Sequence, residues 1–177
     1  MSSYLTKHPN PVGREPIPVR TTVGGRCRIV AKLTKIQGTR LDRLGFDDWS
    51  FTVLLKEDTF STPNVATRMI PEGDFDTQTG AFTIPTEARK YIFDVDDGCG
   101  EVKIKVVIDA VRPDGGGDPD QGREVETLLI PKCGGRLQRD IEVTCYDDGD
   151  LSDDEDQSTI TFSFSFKSEC VDKDDEF

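Results

Sequence analysis

Histidine is almost absent from this chain: His8 is the only one, and it stands among prolines near the N-terminus. Its position there removes the Ser-His-Asp and Cys-His arrangements, in which an imidazole takes the proton from a nucleophile. The five cysteines, Cys27, Cys99, Cys133, Cys145 and Cys170, are odd in number and include no CxxC pair, so zinc spacing is missing as well. They read as reduced thiols, some of them filling small core positions, with one or two disulfides left open for an exported chain. No GxGxxG loop occurs, and the glycines of GDPDQG lie between strand patterns rather than at a helix N-terminus that would cradle a phosphate. No apolar run approaches the roughly 18 residues of a membrane span. The opening MSSYLTKHPNPVGREP lacks the apolar stretch of a signal peptide, so a cytoplasmic chain is the expectation if Met1 is the native start. A helical period is missing too: no segment of ten or more residues repeats its apolar positions at 3.6 with caps.

What the chain has in excess is acid. Asp and Glu number 34 against 22 Lys and Arg, which gives a formal charge of −12 and a sequence pI near 4.5. Nucleic acid is thereby disfavoured as a partner, because binding it requires a basic surface that displaces counterions. An anionic membrane becomes reachable only through bridging divalent cations. The acids gather in loops and in the C-terminal tail, leaving the intervening segments free to alternate.

That alternation has the period of two expected of strands. Residues 26–36 place Cys27, Ile29, Ala31 and Leu33 on one face, with Arg28, Lys32 and Thr34 mostly on the other. Trp49, Phe51, Val53 and Leu55 alternate with Ser50 and Thr52, a half-buried pattern in which Trp49 reads as core. Further strands are expected near 65–70, 81–84 and 89–95, on both sides of the loop within 101–131, around Ile141, Val143 and Cys145, and over 158–167. Ile160, Phe162, Phe164 and Phe166 share one face of the last strand, which argues for a central position; burying each Phe is worth about 1.5–3 kcal/mol. Some eight strands joined by Gly, Pro and Asp turns predict an all-β fold, an antiparallel β-sandwich over 26–168. Before it, residues 1–25 carry Pro9, Pro11, Pro16 and Pro18 and form an extended arm; after it, 169–177 form an acidic tail.

Four groups of acids fall in connections. Asp42, Asp47 and Asp48 lie in the first, Asp94, Asp96, Asp97 and Glu101 in the next, Asp114, Asp118, Asp120 and Glu124 in the third, and Asp147 to Asp156 in the last. Alternate connections of an up-and-down sheet emerge at the same end, so several of these groups converge. Crowded carboxylates repel, and a hard cation with six to eight oxygen ligands relieves the repulsion; Ca²⁺ suits a flexible, many-oxygen site better than Mg²⁺. An EF-hand is excluded by register, since a loop starting at Asp148 puts Asp153 where the turn glycine belongs and Thr159 where the bidentate Glu belongs.

Two segments resemble the calcium loops of C2 domains. LDRLGFDDWSFTVLL is similar to the first, with an Asp, a Gly and an Asp before an aromatic and a strand; VVIDAVRPDGGGDPDQG followed by LLIP is similar to the second. The resemblance implies a C2-like sandwich with Asp42 and Asp48 as ligands from one loop, and Asp109 with one of Asp114, Asp118 or Asp120 from the other. Val111 stands where that family usually has a further Asp, and the glycine-rich loop is longer than the family's. Paired carboxylates for glycoside hydrolysis would need one raised pKa in a sheltered cleft, whereas these acids lie in open loops. The sequence is thus read as a non-enzymatic calcium-binding module with a protein partner or self-association, and no small-molecule substrate. The other reading is a self-assembling subunit of a filament, shell or virion that exchanges its proline-rich arm.

Overall fold

The computed structural model describes residues 26–41, 45–59, 64–95, 100–113, 119–132, 134–147 and 157–171. The expected arm over 1–25 and the residues beyond Val171 lie outside that set. Eight strands account for most of the rest: β1 (Arg26–Arg40), β2 (Trp49–Glu57), β3 (Val65–Gly73), β4 (Lys90–Val95), β5 (Glu101–Arg112), β6 (Asp120–Pro131), β7 (Arg136–Tyr146) and β8 (Gln157–Val171). Every pairing is antiparallel, and the eight form one sheet in the order β3-β2-β5-β6-β7-β8-β1-β4. Among the described residues helical backbone is confined to 3-10 turns, at Thr86–Ala88 and at Asp147, and no helix is long and apolar enough to cross a membrane.

The sheet curls until it nearly closes. Its two edges, β3 and β4, come together where the Asn64 Nδ2 donates to the Asp94 carbonyl at 2.6 Å and the Arg68 guanidinium sits 5.5 Å from the Tyr91 ring centre. That approach shelters two edges which would otherwise offer unpaired backbone to another chain. The opposite side of the sheet has a narrow seam, because β6 and β7 pair only through Gln121 and Tyr146. Gly122 is required there: a Cβ would lie 2.4 Å from the Thr144 carbonyl oxygen and 2.7 Å from the Cys145 sulfur. Below that point an ion pair between Arg139 of β7 and Glu126 of β6 spans the seam.

The core follows from the alternation. Trp49, Phe51, Val53 and Leu55 point inward from β2, and Ile160, Phe162, Phe164 and Phe166 from β8, all buried. β8 lies between β7 and β1, the central position its apolar face required. In β1 a bulge between Leu33 and Lys35 inserts one residue, so that Leu33 and Ile36 both remain inside although they are three apart. A strand was expected over 81–84, but Ala81 and Phe82 make only isolated bridges, to Gln37 and Phe75. The cause is the preceding turn. Asp76 accepts the Gln78 and Thr79 backbone N–H groups, which lowers its pKa, and Gly80 takes φ +67°, so the segment meets β1 at one point instead of running along it. Cys27 and Cys145 are buried thiols and Cys170 an exposed one; Cys99 and Cys133 lie outside the described residues. Burial pushes the Cys145 thiol up to about 12, the behaviour of an inert core cysteine.

Candidate functional site

Register decides which connections share an end. Arg40 pairs with Thr159, Ser50 with Val111, Arg112 with Asp120, and Tyr146 with both Gln121 and Gln157. The strand ends that carry the first, third and last acidic connections are therefore together at one end of the sheet. The second group, around Asp94 and Glu101, belongs to the opposite end, where Cys27 pairs with Val95 and Glu101 with Pro131.

An aromatic layer supports the acidic end from within. Phe51 meets Phe82 and Phe162 edge-on with ring centres 5.0 and 5.2 Å apart, and Trp49 and Phe75 pack beside it at 6.4 and 6.2 Å. The indole N–H of Trp49 donates to the Gly45 carbonyl at 3.3 Å, tying the first connection to the core. Gly45 adopts φ +83° and Asp48 φ +62°, left-handed positions that turn the chain sharply into β2.

At the centre of this end is Arg112, the last residue of β5. Its Nη1 donates to Asp120 Oδ2 at 3.0 Å, its Nη2 to Asp47 Oδ1 at 3.2 Å, and its Nε to the Asp47 carbonyl at 3.1 Å. One guanidinium thus joins the first connection to the start of β6. Partial burial would lower the Arg112 pKa, but the carboxylates of Asp120 and Asp47 outweigh it and hold the pKa above its ordinary value. Asp120 is 3% exposed. Burial raises its pKa, Arg112 opposes the rise, and a hydrogen bond shared with the Asp147 carboxyl, from the end of β7, adds to it. Asp120 therefore keeps its proton to higher pH than an isolated carboxyl would.

The expected calcium ligands do not come together among the described residues. Asp109 is in register with Arg123 on the outer face of β5 and β6 and forms an ion pair with it at 2.9 Å. Asp120 belongs to the inner face, with Leu128 and Ile130. Opposite faces of one sheet cannot supply a single coordination sphere, and each of these carboxylates is already held by an arginine. Asp48 is exposed, and its backbone N–H donates to Asp74 Oδ1 at 3.2 Å. Asp42, Asp114 and Asp118 lie outside the described residues. No group of three or more His, Cys, Asp or Glu side chains among the described residues is placed to hold a metal ion. The set Asp48, Asp109 and Asp120 does not fit Ca²⁺.

Two features escaped sequence reasoning. Arg112 was one; an arginine ending a strand beside an aspartate-rich loop is a weak signal. The second is a basic face on the outer side of β4, β1, β8 and β7. There Lys90 pairs with Lys32, Lys32 with Ser165, Val30 with Lys167, and Lys167 with Arg136, so four cations stand in two adjacent rows. The side chains of Lys32, Lys90, Arg136 and Lys167 are exposed and line a groove of about 470 Å³ with Glu169. Only the outward positions of β1 marked it in the sequence. No family model matches the chain, and no curated protein matches it.

Proposed function

We propose that this chain is a non-enzymatic β-sandwich module that works by protein contact, with self-association as its mode. The observation that carries this reading is the separation of charge over one small sheet: carboxylates at one end, where three acidic connections leave, and on an outer face a groove lined by four cations and one carboxylate. Patches of opposite sign on different surfaces give electrostatic complementarity between copies and leave no need for a substrate. The two-layered, sandwich form of the curled sheet is supported by the seam at β6 and β7, where one pairing at Gln121 and Tyr146 marks the fold line. A hydrolytic role has less support: Asp120 has the raised pKa of a general acid, yet it is 3% exposed and engaged by Arg112 and Asp147.

Calcium belongs to this reading through the acidic end. An ion there draws on Asp42, Asp48, Asp114 and Asp118, since at Asp109 and Asp120 it must displace Arg123 and Arg112. Isothermal titration with CaCl₂ and a melting scan test it. Binding to the native state raises the melting temperature with calcium concentration. Absence of both heat and shift at millimolar calcium removes calcium from the reading. Sedimentation at low salt over a range of protein concentrations tests self-association directly.

A further inference from the structure

Resting on that self-association reading, we infer that the basic outer face of β4, β1, β8 and β7 is the docking surface for the carboxylate-rich end of a second copy of this chain. Three observations lead there. First, Lys32 and Lys90 stand directly opposite in register, an arrangement that destabilises a sheet unless an anion lies over it. No salt bridge to Lys32, Lys90 or Arg136 exists among the described residues, while Lys167 pairs with Glu169 and Arg28 with Asp94. The groove on this face is thus lined by four cations and one carboxylate, Glu169, which is bonded to Lys167 and held below the ordinary carboxylate range by it first and by Arg28 and Lys90 more weakly, in a chain whose formal charge is −12. Second, the complementary surface is on the same molecule: Asp47, Asp48 and Asp147 are at the acidic end, with the run Asp147–Asp156 connecting β7 to β8.

Third, the chain's own acidic connection is too short to cover its own cations. That connection is anchored at Tyr146 and Gln157, which pair with each other. Lys32 is level with Ser165, about 27 Å farther down β8 at the usual strand rise. A connection of about ten residues, held at both ends, extends at most about 17 Å from its anchors. Only another copy brings those carboxylates onto these lysines.

The two patches differ, so the contact is heterologous: every copy has one free face and one free end, and assembly proceeds to rings or open chains rather than stopping at two. Its strength falls with salt, because the pairs are at the surface.

The decisive experiment uses full-length protein and two variants at low salt, with mass measured by sedimentation. Lys32→Glu/Lys90→Glu inverts the face and Asp153→Lys/Asp154→Lys inverts the end. Lys32 and Lys90 are exposed, and a melting scan verifies that each variant folds. The wild type is expected to form species larger than a dimer. Each variant alone is expected to associate at least about tenfold more weakly. Their mixture is expected to regain assembly, because the first variant's end meets the second's retained face and the inverted face of the first meets the inverted end of the second; a mixture that associates no better than either variant alone overturns the inference. A wild type that assembles while both variants assemble equally well overturns this docking surface and leaves self-association standing. A wild type that stays monomeric at all concentrations overturns both. Loss of assembly on deleting residues 172–177, with the two variants unaffected, assigns the face to the C-terminal tail and overturns the inference as well.

Discussion

The acidic end and the basic face are built in opposite ways. At the end, Arg112 meets Asp120 and Asp47 with three hydrogen bonds of 3.0–3.2 Å, and Asp120 is buried beneath it. On the face, Lys32 and Lys90 confront each other in the open. Charge that has found its partner within the fold holds two chain segments together. Charge left without one costs the isolated molecule stability.

That contrast is easiest to break at Arg112. Arg112→Ala strands Asp120 without its counter-ion and frees Asp47 from β5. Removing one member of a fully buried pair costs about 3–5 kcal/mol; with Arg112 partly exposed the expected loss is about 2 kcal/mol. Denaturant unfolding of the variant gives the number, and a change within error of zero would mean that the guanidinium is a bystander.

A subtler change sharpens the same point. Asp120→Asn keeps the shape and an acceptor for Arg112 but cannot ionise. The folded pKa of Asp120 is raised, so the native state retains its proton to higher pH than the unfolded chain does. Its contribution to stability is complete below the ordinary carboxylate pKa of about 3.8 and is lost as pH rises through the folded value. The wild type should therefore gain on the variant as pH falls toward that range, and fall behind it near neutrality. The opposite trend would show that the Arg112 ion pair, not burial, dominates Asp120.

The smallest effect is expected on the face. Lys32→Glu replaces a cross-strand repulsion with an attraction to Lys90 and should stabilise the dilute monomer by about 0.5 kcal/mol. An equal loss would mean that Lys32 already has a partner in the monomer.

How much of this could be read from residues alone depends on how local the information was. The inward faces of 49–55 and 158–167 were legible because a strand writes its burial at a period of two, and Trp49 and Phe162 are indeed buried. The segment 81–84 was misread because its apolar residues alternate, while the Asp76 turn and Gly80 prevent it from running beside β1. Three of the four acidic connections do leave from one end, but Asp94, Glu101, Asp120 and Glu124, expected in those connections, lie within β4, β5 and β6. Their pairing into a calcium shell failed at Asp109 and Asp120, since which face each residue occupies depends on where β5 stops and β6 starts across an irregular loop. Of the basic face the sequence marked only the outward positions of β1. Lys32 and Lys90 are neighbours only because β1 pairs with β4, and Lys167 joins them only because β1 also pairs with β8.

The pairing of β1 with β8 has a consequence for how the protein is made. Arg26 is in register with Val171 and Arg40 with Thr159, so the most extensive ladder of the sheet joins its first strand to its last. A ribosome delivers β1 long before its partner. Until β8 emerges, the inner face of β1, from Cys27 to Ile36, has only β4 beside it and no complete core to enter. Such non-local closure places this chain among the slow folders, on a scale of milliseconds to seconds, and exposes an apolar strand during the wait. Lys32 and Lys35 on the outer side of that waiting strand then act as gatekeepers, keeping nascent chains apart until the sheet can close.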